Sequence, residues 1–379
     1  MDDSPFLIVG GGIAGLAASL GLANAGRPSI ILEKASGFEA VGAGLQLGPN
    51  AVHALQKLGA WDAVAPHCVS PNEIHVRDGI SGKILQRVIL GTRFESRFGA
   101  PYRVAHRADL QNGLLACVRA KSKIRIQTSA EVETVSIAET TLTLKSGNRL
   151  AGEAIIAADG VHSKIRNHIF SQAKIRPNIH TLFRSLMPTG SIPASIEADV
   201  VTLWLYPGGH VVHYAVSQGK QFNIVACAEN SAASPGTAFV QACKPLADIL
   251  GVQKNWSQWP ANEIYPNLNW CQNRTVLIGD AAHASLPYLA QGAAMALEDA
   301  CLLASKITNS RYLPSALEEF TQQRFPRASA VQKKSRQLGK IYHAHGFTRL
   351  ARNFALKATP PGKFMEKTSW LYGREINAE

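Results

Sequence analysis

The stretch FLIVGGGIAGLAASLGLANAGRPSIILE runs from Phe6 to Glu33 and decides the fold. Phe6 to Val9 is a short run without a polar residue, the pattern of a parallel strand buried on both faces. A glycine cluster follows, then Ile13 to Asn24 reads as a helix rich in Ala and Leu, closed by Gly26. Ser29 to Leu32 is a second apolar strand, and Glu33 ends it. The turn of this β-α-β unit carries Gly10-Gly11-Gly12-Ile13-Ala14-Gly15, a G-x-G-x-x-G sequence. Glycine is needed there because the backbone turns tightly and lets a pyrophosphate approach the helix N-terminus, where free N–H groups and the helix dipole favour negative charge. Glu33, 23 residues after Gly10, is in place to accept the ribose hydroxyls of an adenosine. The unit predicts a bound dinucleotide without saying which one.

Beyond it, Ala51 to Leu58 reads as a short helix, Ile74 to Val88 alternates as strands do, and Arg107 to Lys121 is helical in pattern. Ile124 to Leu150 gives three strand-like pieces, and Ala154 to Ala158 is another buried-strand run stopped by Asp159-Gly160. From Thr181 to Cys227 the pattern is β-rich, with a Pro207-Gly-Gly209 turn, as an antiparallel sheet inserted into the nucleotide-binding fold would be. Thr275 to Ile278 returns to a buried strand, and Leu313 to Leu356 predicts one long amphipathic helical region across the back of a domain.

The chain has 379 residues, 46% of them hydrophobic, enough for two domains or for one with a large insertion. No run reaches the roughly 18 apolar residues of a membrane span, and the first residues carry neither a basic region nor a cleavage site of a secretion signal. Six cysteines without paired spacing fit reduced thiols in a cytoplasm better than disulfides or zinc. The net charge of +12 is concentrated near the C-terminus, Arg324, Arg327, Arg336, Arg349 and Arg352 included, and reads as a solvated helix face. No nucleic-acid motif accompanies it.

Three further stretches accompany the glycine loop: Val41-Gly-Ala-Gly-Leu-Gln-Leu-Gly-Pro-Asn-Ala51, Ala158-Asp-Gly-Val-His-Ser-Lys-Ile-Arg166 and Gly279-Asp-Ala-Ala-His283. With His106-Arg107-Ala-Asp-Leu-Gln111 they resemble, in order and over nearly the whole chain, the FAD-dependent aromatic hydroxylases, the single-component flavoprotein monooxygenases. The look is closest to the salicylate and 6-hydroxynicotinate hydroxylase branch, from Gly-Ala-Gly-Leu-Gln-Leu, Pro-Tyr-Leu-Ala-Gln-Gly and Trp370-Leu-Tyr-Gly373.

The resemblance implies that Gly10, Gly12, Ala14 and Gly15 cradle the FAD pyrophosphate, that Glu33 and Lys34 hold the ribose, and that Arg107 pairs with the phosphates or ribityl chain. Val132 joins the cofactor set, Asp280 would bond the ribityl hydroxyls, and Gly292-Ala293 would open a helix toward the polar edge of the flavin. Asp159, with Arg166, would support both FAD and a transient NADH or NADPH. Gln46, Pro287, Tyr288 and Gln291 would line the substrate pocket. Metal ligation is not expected, since the stretch around His283 offers only Asp280 as a partner, and His283 reads as structural.

His210 and Tyr214 lie at i and i+4 in His210-Val-Val-His213-Tyr214, so a strand places both on one face and His213 on the other. That spacing resembles the family's substrate-side pair, and a histidine of near-neutral pKa can take a phenol's proton. Met187, Trp204 and Phe222 read as core residues.

The expected fold is α/β: a Rossmann-like FAD-binding domain of glutathione-reductase type, an inserted antiparallel substrate sheet and C-terminal helices. Residues 1–71, 97–180 and 265–379 would form the discontinuous FAD domain, and 72–96 with 181–264 the substrate domain. The expected activity is hydroxylation of a phenolic carboxylate with NAD(P)H and O2 through a flavin C4a-hydroperoxide, by a cytoplasmic monomer or homodimer. The alternatives are a larger substrate on the same fold, such as a polyketide, a quinone precursor or an indole, and a non-catalytic FAD-fold binding protein.

Overall fold

The computed structural model describes residues 4–38, 42–170, 174–229, 232–253, 255–266, 269–360 and 362–373. Val41 of the second motif and the chain ends therefore lie outside the described residues.

Strand Phe6–Val9 is buried along its whole length because it sits inside a six-stranded sheet. It pairs in parallel with Ser29–Leu32 on one side and Ile155–Ala157 on the other. Ile124–Gln127 and Thr275–Leu277 extend the sheet in parallel, and Cys271–Gln272 adds one antiparallel edge. Helix Ile13–Asn24 covers one face, and Gly15 is obligatory where it starts, since a Cβ there would lie 1.9 Å from the Gly10 carbonyl oxygen. Gly10 itself holds φ +106, which an L side chain rarely adopts.

The second sheet has seven strands, in the order Ser257–Ile264, Ile175–Pro188, Gln221–Glu229, Gly209–Val216, Val200–Tyr206, Glu73–Asp78, Ile84–Ile89. Its first strand in the chain after the nucleotide motifs starts at Ile175, ahead of residue 181. The antiparallel pattern is broken once, where Val200–Tyr206 runs parallel to Glu73–Asp78, because these two strands come from separate insertions. The outer face buries Phe183, Trp204 and Phe222 with Leu246 of helix Lys244–Val252, and Met187 belongs to the same cluster. The Ile124–Leu150 region forms four strands instead of three pieces: the first joins the parallel sheet, and Val132–Ser136, Thr141–Leu144 and Arg149–Ala151 make a small sheet of their own.

The long C-terminal helix is interrupted. Leu313–Tyr342 ends at His343, whose carbonyl accepts from the Gly208 amide, and Gly346–Ala358 restarts at a glycine with φ +47. The basic C-terminal region is a solvated face only in part: Lys333, Lys334, Lys340 and Lys357 are exposed, whereas several of its arginines are not. Arg324 is buried, its Nε on Asp299 Oδ1 at 2.7 Å and its NH1 on Glu298 Oε2 at 2.7 Å. Arg349 and Asn353 both donate to the fully buried Asp78, and the buried Arg352 donates to the Tyr342 carbonyl. Among the described residues no helix is long and apolar enough to cross a membrane.

An Arg324→Ala change leaves two buried carboxylates short of their cation, so unfolding in urea should show a loss of about 3–5 kcal/mol. A change below about 1 kcal/mol, the range of an exposed ion pair, would contradict the account.

Candidate active site

Three loops meet where the parallel strands end. The loop after Thr275–Leu277 holds Gly279 and Asp280, and a buried carboxylate behind it sets its shape. Asp299 Oδ2 accepts from the Gly279 amide at 2.8 Å and from His283 Nε2 at 2.6 Å. Burial alone would raise the Asp299 carboxyl, but His283 and Arg324 hold it down at about 2. His283 therefore answers to Asp299, and Asp280 is left facing the cavity. The D-G loop is joined to this one by Arg166, fully buried, with NH1 on the Ala281 carbonyl and NH2 on Val161. Arg166 thus ties the two loops together from a buried position.

The cavity enclosed by these loops and the seven-stranded sheet has a volume of about 370 Å³. Its floor is Gly12, Ala14 and the Gly292–Ala293 start of helix Gly292–Asn309. Arg107 and Asp280 flank it. Asp280 is accessible through this opening, yet the protein around it raises its carboxyl, against the pull of His283, Arg107 and Arg184. The roof is the sheet: His210 and Tyr214 face the cavity, while His213 points away, accepting from Trp204 Nε1 at 2.9 Å.

Gln46, Pro287 and Gln291 line the same space. Gln46 accepts from Tyr102 OH at 2.6 Å, and Gln291 Oε1 accepts from Asn50 at 2.9 Å. Tyr288 does not line it: the ring lies behind His210 at 5.4 Å, edge to face, because the Pro287–Leu289 turn directs it against the sheet. Glu33 closes the second parallel strand with Oε2 on the Gly11 amide at 2.7 Å, and Lys34 beside it is exposed. Val132 is buried in the small sheet away from the cavity, two residues past Ala130, whose amide donates to the Glu33 carbonyl. Asp159 Oδ2 accepts from the Lys164 amide at 2.9 Å, and burial raises its carboxyl.

Behind His210 is a cluster that sequence reasoning missed. His210 Nδ1 lies 2.8 Å from His343 Nε2, with the two ring planes nearly parallel, and His180 packs on His343 at 4.4 Å. Burial first, then His180, pushes His210 down to about 3, and burial likewise lowers His180 and His343. The donor atoms of His210, Cys227 and His343 fall within 4.8 Å of one another. Two imidazoles on one metal at about 2.0–2.1 Å would stand farther apart than this hydrogen-bonded pair. The Cys227 thiol, pushed up to about 12 by burial, stays protonated beside Tyr288 OH, so the set reads as a hydrogen-bonded cluster.

Arg184 was also missed. It stands in Ile175–Pro188, reaches both the cavity and the Trp259 ring, and feels Tyr214 and Asp280. The signal available was a lone arginine in the apolar run Thr181-Leu-Phe-Arg-Ser-Leu-Met187.

Residues 3–335 match the family described as FAD binding domain. The chain belongs to this family. It is 34% identical to the 3-hydroxybenzoate 6-hydroxylase of Polaromonas naphthalenivorans (strain CJ2), over 99% of this chain and 97% of the relative. Among solved structures, Klebsiella pneumoniae HpxO complexed with FAD and uric acid superposes with a TM-score of 0.84 at 23% identity, covering 98% of each chain. A salicylate hydroxylase substrate complex gives 0.82 at 25% identity, covering 99% of this chain and 97% of the other. As a member of this family, the protein is an FAD-dependent monooxygenase of the aromatic hydroxylase type.

The residues present fit FAD. Gly12 has only Arg107 NH2, at 4.0 Å, near the place of a Cβ, so the loop is open above the helix N-terminus. Asp159 Oδ1 is buried without a partner at the same loop cluster, and Asp280 opens into the cavity.

Gly15→Ala would press a methyl group into the Gly10 carbonyl, so purified variant should lose most of its bound FAD, read as flavin absorbance per chain. Full flavin content would refute the tight-turn argument.

A second outcome concerns pH. His213, buried and lowered to about 3 by burial and then Arg77, is neutral when folded but binds a proton below about 6.5 when unfolded. Its depressed pKa means that stability present above pH 6.5 is lost as pH falls toward 3, by at most about 1.4 kcal/mol per pH unit. In His213→Gln, the fall in unfolding free energy between pH 7 and pH 5 should be shallower than in the parent; an unchanged slope would show that His213 contributes nothing to it.

Proposed function

We propose that the protein hydroxylates a single-ring phenolic carboxylate, with NADH or NADPH as electron donor and O2 as the oxygen source. The observation that carries this reading is the pairing of His210 and Tyr214 on one strand, facing the glycine loop and the Gly292 helix start across the cavity. The relatives' activity on 3-hydroxybenzoate supports the substrate class.

Gly10, Gly12, Ala14 and Gly15 with Arg107 hold the FAD phosphates, Glu33 and Lys34 the adenosine, with Val132 and Asp159 nearby. Asp280 would hold the ribityl chain, and the Gly292–Ala293 helix start would hold the flavin ring. FAD held there would supply the redox chemistry, taking the electrons of NADH or NADPH to O2 so that one oxygen atom enters the ring and the other leaves as water. The chain's own residues bind and orient the substrate. His210, neutral because it is buried, accepts the phenol proton, which makes the ring electron-rich. Tyr214 keeps its hydroxyl protonated, since burial raises its pKa against the pull of Arg184, so it can donate to the substrate. Arg184 and Arg107 supply positive charge for the carboxylate and the cofactor. Gln46 and Gln291 fix the walls, and the sheet excludes water from the reacting face. The protein works as a monomer or homodimer in the cytoplasm.

The test is a screen of NADH and NADPH oxidation, O2 uptake and product mass over hydroxybenzoates and hydroxynicotinates. One added oxygen in a phenolic carboxylate supports the reading, and turnover only with multi-ring substrates, or none, rejects it. His210→Gln should reduce coupled hydroxylation at pH 7 by about 10²–10⁴-fold. A variant with parental coupled turnover across pH removes His210 as base.

A further inference from the structure

A proton taken from a substrate in this cavity has to leave a buried site. We propose that His343 carries it from His210 to the solvent, as a positioning and relay residue acting through His210. This rests on the reading of His210 as the base.

The atoms are in line for it. His210 belongs to the cavity wall, and its Nδ1 is 2.8 Å from His343 Nε2. The two ring planes differ by only 17° at a centroid distance of 5.1 Å. His343 caps helix Leu313–Tyr342 where the chain turns toward Gly346–Ala358, and 8% of its surface still meets solvent. Both rings are neutral, since burial lowers both, so each has one N–H and one bare nitrogen. With the proton on His210 Nδ1, the His210–His343 bond is N–H to bare N, and Nε2 is the free acceptor.

The transfer then balances without an imidazolium. The substrate O–H bond breaks and its proton bonds to His210 Nε2. The Nδ1 proton of His210 moves to His343 Nε2, and the Nδ1 proton of His343 goes to water. The sum is phenol to phenolate plus one solvated proton, with both rings in the opposite tautomer. When the product's oxygen takes a proton back from His210 Nε2, the same hops run in reverse and reset the pair.

The surroundings keep the pair neutral from every side. His180, two strands away from His210 in the same sheet, packs on His343 and feels Glu229. Tyr288 stands edge-on to both rings, with the Cys227 thiol on its hydroxyl, and Tyr342 packs against His210. His345 and Arg352 add positive charge beside His343 and further oppose its protonation. A neutral chain of this kind passes protons without storing one.

The test is binding-linked proton release from FAD-loaded protein mixed with 3-hydroxybenzoate in weak buffer, followed with a pH-indicator dye in a stopped flow. His343→Ala removes the relay and leaves space. His343→Phe removes both nitrogens but keeps an aromatic ring in the stack, which guards against a folding failure. Both should release the proton at least about tenfold more slowly while the Kd for 3-hydroxybenzoate stays within about twofold. In His343→Ala the rate should climb with added imidazole, which a purely structural role would not produce. Parental rates in both variants, or slow release indifferent to imidazole, overturn the relay. If His210→Gln also releases the proton at the parental rate, the base assignment falls with it; if only the His343 variants do, the relay alone falls.

Discussion

Everything around the cofactor cleft leans on two adjacent buried carboxylates, Glu298 and Asp299. Asp299 fixes the Gly279 amide and His283, and so the loop that presents Asp280. Glu298 accepts from Asn50, Arg324 and Arg327, and Arg327 continues to the Leu371 carbonyl near the chain's end. One helix turn thereby ties the start of helix Pro49–Lys57, the long C-terminal helix and the last helix to the floor of the cleft. Two acids can be buried side by side only because two arginines and an imidazole converge on them. Each carboxylate also spends its remaining lone pairs on N–H donors, which is the condition under which buried charge is tolerated.

The parallel sheet was legible because its strands are short runs buried on both faces and its turns need glycine for steric reasons that composition cannot hide. The Phe6–Val9, Ser29–Leu32 and Thr275–Leu277 strands stand where their apolar runs are. The alternation in His210 to Tyr214 was equally readable, since a strand's period of two sorts side chains onto faces without knowledge of the partner strand. The long C-terminal region was read as one helix because amphipathic spacing continues across the break at His343 to Gly346. Nothing local marks a stop there except one glycine, and the Gly208 amide that holds the His343 carbonyl comes from far along the chain.

The missed residues share a physical cause. Arg184, His343 and Arg324 owe their roles to partners more than twenty residues away, and charge or imidazole in a sequence carries no sign of burial. The basic C-terminal region looked solvated for that reason, whereas Arg324 and Arg352 are buried against carboxylates and carbonyls. Two adjacent acids in the apolar run Met295-Ala-Leu-Glu-Asp-Ala300 were the one sequence hint that cations had to come from elsewhere. Tyr288 was placed in the pocket by its nearness to Gln291 in sequence, yet a three-residue turn is enough to put neighbours on opposite sides of a wall.

The burial that hides these residues also decides their chemistry. In water a histidine titrates near pH 6.5 and at neutral pH is a base for only part of its population. Desolvation against the sheet and the ring cluster takes His210 far below that range, so it is a bare acceptor at any physiological pH. The cost is a weaker proton affinity, and a weak base can deprotonate a phenol only if the phenolate is itself stabilised. In the proposed reaction Arg184 on the same sheet, with Arg107 and the helix start at Gly292 on the nucleotide-binding side, would supply that stabilisation. On the proposed reading the strand Gly209–Val216 and the loops opposite it would act as one unit: the sheet would provide a neutral acceptor and the Arg184 charge, and the nucleotide-binding side the rest of the field in which the anion is the favoured form.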